Sequence, residues 1–279
     1  MSITGPLLSF GRDSQAKSAC PLLVAHDGYS GAAGIPGDGP VPPDSVQALE
    51  NAVQSGAQYV KFDVRWSADN VPVIIHNSTV NATTRWHGKV ASYQAAVLTR
   101  MRLVTRAGQL TADRLPTAAA LLRAAVAARA GGVILEVKPD AITPGQARSL
   151  HAAVAAAGAL GKTSVQTFFP GEVAALAKAW PSASIALLER LRAYVPHGLG
   201  PRLRSVVLAG DLVTAAHAAM IRRAGLVLGA YTSTGANVPD RASSWNTDLR
   251  DGVRQVFTDN TAGYLRWESA RHCRADSAA

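Results

Sequence analysis

A closed parallel barrel of alternating strands and helices, a (β/α)8 fold of the α/β class, is what this 279-residue sequence predicts. Three observations carry that expectation. Short runs of β-branched and leucine residues alternate with alanine-rich stretches of helical spacing, charged residues gather where the runs end, and no linker divides the chain. One unit follows, with residues 20–267 as the barrel, 1–19 as an extension before it and 268–279 as a tail.

In order, Leu22–His26 is the first strand, and its apolar run passes directly into His26-Asp27-Gly28. Tyr29–Pro43 is too rich in Gly and Pro for a helix or strand and reads as a loop above it. Tyr59–Val64, Val71–His76, Val133–Lys138, Thr163–Phe168 and Ser184–Leu188 follow as strands, then Ser205–Leu208, Leu226–Thr232 and Gln255–Thr258. That makes nine runs for eight barrel places, so one must be a hairpin or capping strand. Between them Asp44–Gln54, Thr117–Ala130, Thr143–Ala157, Gly171–Ala179 and Thr214–Ala224 space alanine and leucine at helical intervals, with Pro or Thr near their starts.

Composition narrows the function. Hydrophobic residues at 48% suit a large buried core, and no run of about eighteen apolar residues offers an integral membrane segment. The formal charge of +9 is spread over scattered arginines with no basic run interleaved with aromatics. It reads as a diffuse field favouring a small anionic substrate over nucleic acid. The N-terminus lacks the basic-then-apolar order of a signal peptide, so the chain reads as soluble, cytoplasmic or secreted after loss of a leader. Cys20 and Cys273 flank the barrel at places that closure brings together; a disulfide and two free thiols are both open. Oligomeric state is not set by the sequence.

Function in such a barrel sits on the loops at the carboxyl ends of the strands, and the polar residues follow that rule. Lys61 with Asp63, and Glu136 with Lys138, are two apart on their strands and project to one side, toward the barrel axis. Unpaired charge there is strongly unfavourable, so a binding or catalytic site explains the pattern, with a structural ion-pair plug as the alternative.

The segments His26-Asp27-Gly28, Lys61-Phe62-Asp63-Val64, Pro72-Val73-Ile74-Ile75-His76, Leu135-Glu136-Val137-Lys138 and Phe257-Thr258-Asp259-Asn260, with the Pro-rich loop before an acidic helix start, resemble the glycerophosphodiester phosphodiesterase family in order and spacing. The resemblance implies a barrel of the phospholipase-C-like phosphodiesterase type and hydrolysis of a phosphodiester. It implies His26 and His76 as acid and base, Asp63 and Glu136 as ligands of a divalent cation, Mg²⁺ or Ca²⁺, and Lys138 near the phosphate. General acid, general base and positive charge are what phosphodiester cleavage needs.

Four departures qualify this. The family pattern His-Arg-Gly has Asp27 in place of Arg, the first acidic ligand is Lys61, the Asp after the second histidine is Asn77, and Pro-Glu-Asn-Thr reads Pro43-Asp44-Ser45-Val46. The two charge reversals compensate each other, which predicts an Asp27–Lys61 ion pair. Either Asp27 joins Asp63 and Glu136 around a shifted metal, or the Lys61 ammonium takes the metal's place; the expectation leans to a weak or absent metal. A barrel that binds an anion without turnover, and a repurposed enzyme using Lys61 as base or imine-forming amine, are the competing readings. Trp66, Trp86 and Tyr231 are expected to wall an organic substituent of the substrate, with packing as the alternative for each. Asp259 is read as holding Lys138 or a loop, or as a cap. Trp86 and His87 lie in the long segment after the third strand, where the resemblance implies an insertion that helps choose substrate, and His197 and His217 receive no role.

Overall fold

The computed structural model describes residues 20–29, 39–138, 141–189, 203–232 and 238–271. Eleven strands and eight α-helices are named here in chain order. β1 (Leu22–His26), α1 (Val46–Ser55) and β2 (Tyr59–Trp66) open the fold, followed by β3 (Pro72–Ile74), α2 (Ala95–Leu98), β4 (Arg102–Val104), β5 (Leu110–Arg114) and α3 (Ala118–Ala127). Then come β6 (Gly132–Val137), α4 (Pro144–Ala156), β7 (Thr163–Thr167), α5 (Pro170–Ala179), β8 (Ile185–Glu189) and β9 (Leu203–Ala209). The chain ends with α6 (Ala215–Arg223), β10 (Val227–Tyr231), α7 (Ala242–Asp251), β11 (Gln255–Thr258) and α8 (Thr261–Ala270).

Eight strands run parallel in the order β1-β11-β10-β9-β8-β7-β6-β2, and β1 pairs with β2 to close the barrel. The supernumerary ninth run is β3, which turns back antiparallel onto β2. α7 and α8 are absent from the sequence-based assignment, and the serine, asparagine and aspartate content of α7 explains why its helical period is faint. α8 also runs to Ala270, past the expected start of the tail. Cys20 is disulfide-bonded, while Cys273 and His197 lie outside the described residues, as do 1–19 and much of the Gly/Pro-rich loop. No helix among the described residues is long and apolar enough to cross a membrane.

Alternation along each strand divides the core in two. On β2, Val60, Phe62 and Val64 face the helix layer while Lys61 and Asp63 face the axis; on β6, Val133, Leu135 and Val137 face out while Ile134 and Glu136 face in. The outer layer packs against helices such as α3, which buries Leu121 and Leu122, each contributing about 1.5–3 kcal/mol. Thr117 and Thr143 cap α3 and α4, the latter through a reciprocal capping box with Gln146. The inner cluster of Val24, Ile134, Ala186, Val207 and Phe257 fills the barrel below the site.

Between β3 and α3 lies an insertion with a core of its own, built on Val80, Val90, Leu98, Met101, Leu103 and Leu115. Its hairpin β4–β5 went unread because β5, LTADR, exposes alternate residues and lacks an apolar face.

Two predictions follow. Gly28 holds φ +83°, and a Cβ there would meet Ala48 Cβ at 2.6 Å and its carbonyl oxygen at 2.9 Å. Gly28→Ala should therefore cost about 2 kcal/mol or more, read as a lowered Tm. Burial, with Asp251 and Asp240 adding, lifts the Asp248 carboxyl from 3.8 to about 7. A carboxyl raised on folding stabilises below its unfolded value and loses that contribution as pH rises, here between about 4 and about 7. Asp248→Asn should flatten this dependence and gain on the order of 2–4 kcal/mol at about pH 8, measured by denaturant unfolding. Parallel curves for parent and variant at about pH 5 and about pH 8 would refute it.

Candidate active site

At the carboxyl ends of the strands lies a cavity of about 350 Å³. His26, Asp27, Asp44, His76, Arg106 and Lys138 supply charged or titratable groups to its lining, and Phe168, Leu188, Tyr231 and Phe257 an apolar wall. Lys61 and Asp63 are fully buried and lie beneath it.

Lys61 is the centre of that floor. Its Nζ stands 2.6 Å from Asp63 Oδ1, 3.2 Å from Asp27 Oδ1 and 3.2 Å from Glu136 Oε2. The ion pair predicted by the two charge reversals is thus formed. Burial alone would lower the Lys61 pKa, but Asp27, Asp63 and Glu136 outweigh it and hold the ammonium well above its ordinary value. Lys138 Nζ lies 2.6 Å from Glu136 Oε1 and 3.4 Å from Asp63 Oδ1, and Gln166 Nε2 donates to Glu136 Oε2 at 3.1 Å. Against the push of burial, Lys61 and Lys138 keep Glu136 below the usual range.

The acidic side has a similar logic. Asp27, at φ 55°, and Asp44, at φ 56°, both occupy the left-handed region, and Asp44 N donates to Asp27 O at 3.1 Å. Such conformations in buried aspartates gather at sites where a side chain must be aimed. Burial would raise Asp27, yet His26 and Lys61 pull its carboxyl down to about 2. Burial and the neighbouring Asp27 and Asp63 push the Asp44 carboxyl well up. Oxygens of Asp27, Asp44 and Asp63 lie within 4.8 Å of one another, a grouping able to hold a cation. Asp44 was not singled out as a ligand, although it stands where the family pattern has Glu.

His26 Nδ1 is 2.8 Å from Asp259 Oδ1 and 3.5 Å from Asp27 Oδ2, and its Nε2 is 3.3 Å from Lys61 Nζ. Contact with an ammonium is the geometry of a neutral ring, whereas two carboxylates favour the cation. Burial also lowers the histidine, but Asp27 and Asp259 prevail and raise it. The reason is that the Lys61 charge is already shared among three carboxylates. Asp259 therefore backs His26. It is in turn held by Asp240, whose Oδ2 accepts from the backbone N–H of Asp259 at 2.8 Å and of Asn260 at 3.0 Å. Thr258 and Thr232 hydroxyls donate to Asp240 Oδ1 at 2.6 and 2.7 Å.

His76 follows β3 and is exposed, with Nδ1 2.9 Å from Asn77 Oδ1 and its carbonyl accepting from Arg65 Nε at 2.8 Å. Asn77 thus orients the ring, and among the described residues Nε2 has no hydrogen-bond partner.

Among the aromatic residues singled out from sequence, Tyr231 lines the cavity. Trp66 does not: it is 3% exposed, packs in the outer core and donates from Nε1 to Ser149 on α4. As the last residue of β2 it falls on the outward side of the alternation. Trp86 is 48% exposed on the insertion, edge-on to Tyr93 and away from the cavity lining. Phe168, Gln166, Arg106 and Asp240 were missed. The first two have a signal, since both close the β7 run, whereas Arg106 and Asp240 lie in loops with none.

Over 75 residues the chain is 32% identical to glycerophosphodiester phosphodiesterase 1 of Bos taurus, a match covering 27% of this chain and 23% of that protein. It is 29% identical over 97 residues to a glycerophosphodiester phosphodiesterase of Caldanaerobacter subterraneus, covering 34% and 37%. The chain thus spans about a quarter to a third of the curated relatives it matches. A glycerophosphodiester phosphodiesterase structure from Parabacteroides distasonis superposes with a TM-score of 0.72 at 18% identity, covering 92% of this chain and 100% of that one. An Oleispira antarctica phosphodiesterase in complex with its product sn-glycerol-3-phosphate gives 0.66 at 21%, covering 91% and 96%. At these identities the structures speak for the shared fold. A family model, the glycerophosphoryl diester phosphodiesterase family, matches residues 34–262, and the chain belongs to that family.

Proposed function

We propose that the chain hydrolyses a phosphodiester by general acid and base catalysis from His26 and His76, with the Lys61 ammonium standing where relatives hold a divalent cation. The observation that carries the reading is that both imidazoles line one cavity whose floor is a lysine caged by carboxylates. Membership of the family and the phosphodiesterases among its relatives support the substrate class.

His76 takes a proton of the attacking water as the new P–O bond forms. His26, biased toward its cation by Asp27 and Asp259, gives a proton to the departing oxygen as the old P–O bond breaks. Lys138 contributes positive charge toward the phosphoryl oxygens.

A divalent ion fits poorly while Lys61 stays charged. In favour of an ion, Asp63 Oδ2 is buried without a hydrogen-bond partner, a deficit of about 1–3 kcal/mol. Against it, an ion about 4 Å from the ammonium meets repulsion of about 8 kcal/mol at an effective dielectric near 20. The ammonium thus weakens an ion there relative to the same carboxylates without it, and no step is assigned to a metal. The imine reading of Lys61 loses support as well, because an amine held protonated and buried is no nucleophile.

Turnover of glycerophosphocholine, whose alkoxide leaving group needs a proton, is the direct test. His26→Ala and His76→Ala should each lose about 100-fold or more in kcat with the fold intact. Parent-like rates in either would end this assignment, and the binding-only reading would take its place if the parent itself fails to turn over a panel of phosphodiesters. Parent activity should survive chelator, whereas Lys61→Glu should become chelator-sensitive and recover with added Mg²⁺ or Ca²⁺. Chelator-insensitive activity in Lys61→Glu would mean that the ammonium does not occupy a cation place.

A further inference from the structure

Arg106 reaches the cavity from the insertion, on the turn between β4 and β5. The turn is firmly held. Gly108, at φ +80°, donates its N–H to Thr105 O at 2.8 Å, Thr105 N donates to Gln109 O at 2.9 Å, and Gln109 N donates to Thr105 Oγ1 at 3.1 Å. Leu103 and Leu115 anchor the hairpin in the insertion's own core. The guanidinium is thus delivered by a built element.

Its donors are nearly unspent. Among the described residues its one ion pair is with Asp27 Oδ2, at 3.6 Å, a loose contact that this oxygen shares with His26 at 3.5 Å. The side chain keeps 30% of its exposure while lining the cavity with both histidines. The other cations are committed. Lys61 is 1% exposed beneath the floor, and Lys138 is held at 2.6 Å by Glu136. A guanidinium offers a planar fork of N–H donors that matches two oxygens of a phosphoryl group, and Asp27 uses little of it.

We propose that Arg106 is a further anion-binding residue of this cavity, taking the phosphoryl oxygens of the substrate on its guanidinium fork beside the charge of Lys138. The family pattern would place an arginine directly after His26; this chain has Asp27 there and brings a guanidinium to the same carboxylate from the insertion. The inference rests on reading the cavity as a phosphodiester site, and it makes the insertion part of the binding machinery.

The test uses the full chain with two readouts, calorimetric binding of inorganic phosphate and steady-state turnover of glycerophosphocholine. Arg106→Ala should weaken phosphate binding about tenfold or more and raise KM by a similar factor, with kcat within about threefold of the parent. Arg106→Lys keeps a charge beside Asp27 and loses the fork, so it too should bind phosphate more weakly than the parent. In an Asp27→Asn background the Arg106→Ala loss should persist. The proposal is overturned if phosphate affinity and KM are unchanged in Arg106→Ala, if Arg106→Lys matches the parent, or if the loss vanishes in Asp27→Asn. The last two outcomes mean that Arg106 only neutralises Asp27. Should Asp27→Asn fail to fold, Arg106→Lys carries the same decision. Turnover abolished by His26→Ala but indifferent to Arg106→Ala sinks this inference alone. Arg106-dependent phosphate binding in a chain without turnover supports it and sinks the hydrolase reading instead.

Discussion

The cage around the Lys61 ammonium is the constraint on which the site depends. Asp27 enters from the turn after β1, Asp63 from β2 and Glu136 from β6, so three backbone segments converge on one charge. Neither side is tolerable alone. Removing one partner of a buried ionic cluster costs about 3–5 kcal/mol, because the remaining charge is stranded where water cannot reach it. The crowd of acids is eased further by a division of labour in which Asp27 is held down to about 2 and Asp44 is pushed well up. Strained backbone at both aspartates is sustained by this electrostatic gain and by the hydrogen bond between their main chains.

A second chain of dependence positions the His26 ring. Asp240 gathers two threonine hydroxyls and two backbone N–H groups from the end of β11, and Trp245 Nε1 adds a donor at 3.2 Å. That fixes the turn carrying Asp259, and Asp259 orients the His26 ring through its contact with Nδ1. The loop between β10 and α7 thereby determines where an imidazole on β1 points. The fold permits this because β11 lies directly beside β1 in the closed sheet.

How much of this was legible follows from which signals are local. The eight barrel strands were readable because each is a compact apolar run, and the inward pairs Lys61/Asp63 and Glu136/Lys138 were readable because a two-residue period admits no other face. The ion pair between Asp27 and Lys61 was readable from compensation of charge. By contrast α7 is mostly polar, and its buried Asp248 runs against any apolar pattern. Trp66 and Trp86 misled because an aromatic near a strand end carries no mark of the direction it faces; burial in the outer core for one and exposure for the other were decided by tertiary packing. Arg106 and Asp240 owe their places to loop closure over long sequence separation, which leaves no periodic trace.

The exchange at Asp27 and Lys61 has a geometric consequence beyond its neutral charge sum. The anion of the pair lines the cavity wall while the cation lies beneath the floor, the less favourable arrangement for an anionic substrate. What rescues the wall is the density of positive groups on that single carboxylate: Lys61 at 3.2 Å on one oxygen, with His26 at 3.5 Å and Arg106 at 3.6 Å on the other. Because interactions at such distances in a partly desolvated cavity are only weakly screened, these three contacts offset the Asp27 charge at the cavity wall. An anionic group at the mouth therefore meets less repulsion than the aspartate in the sequence would suggest. Reversing charge at one strand end was tolerable only because groups from β1, β2 and the insertion share a single carboxylate.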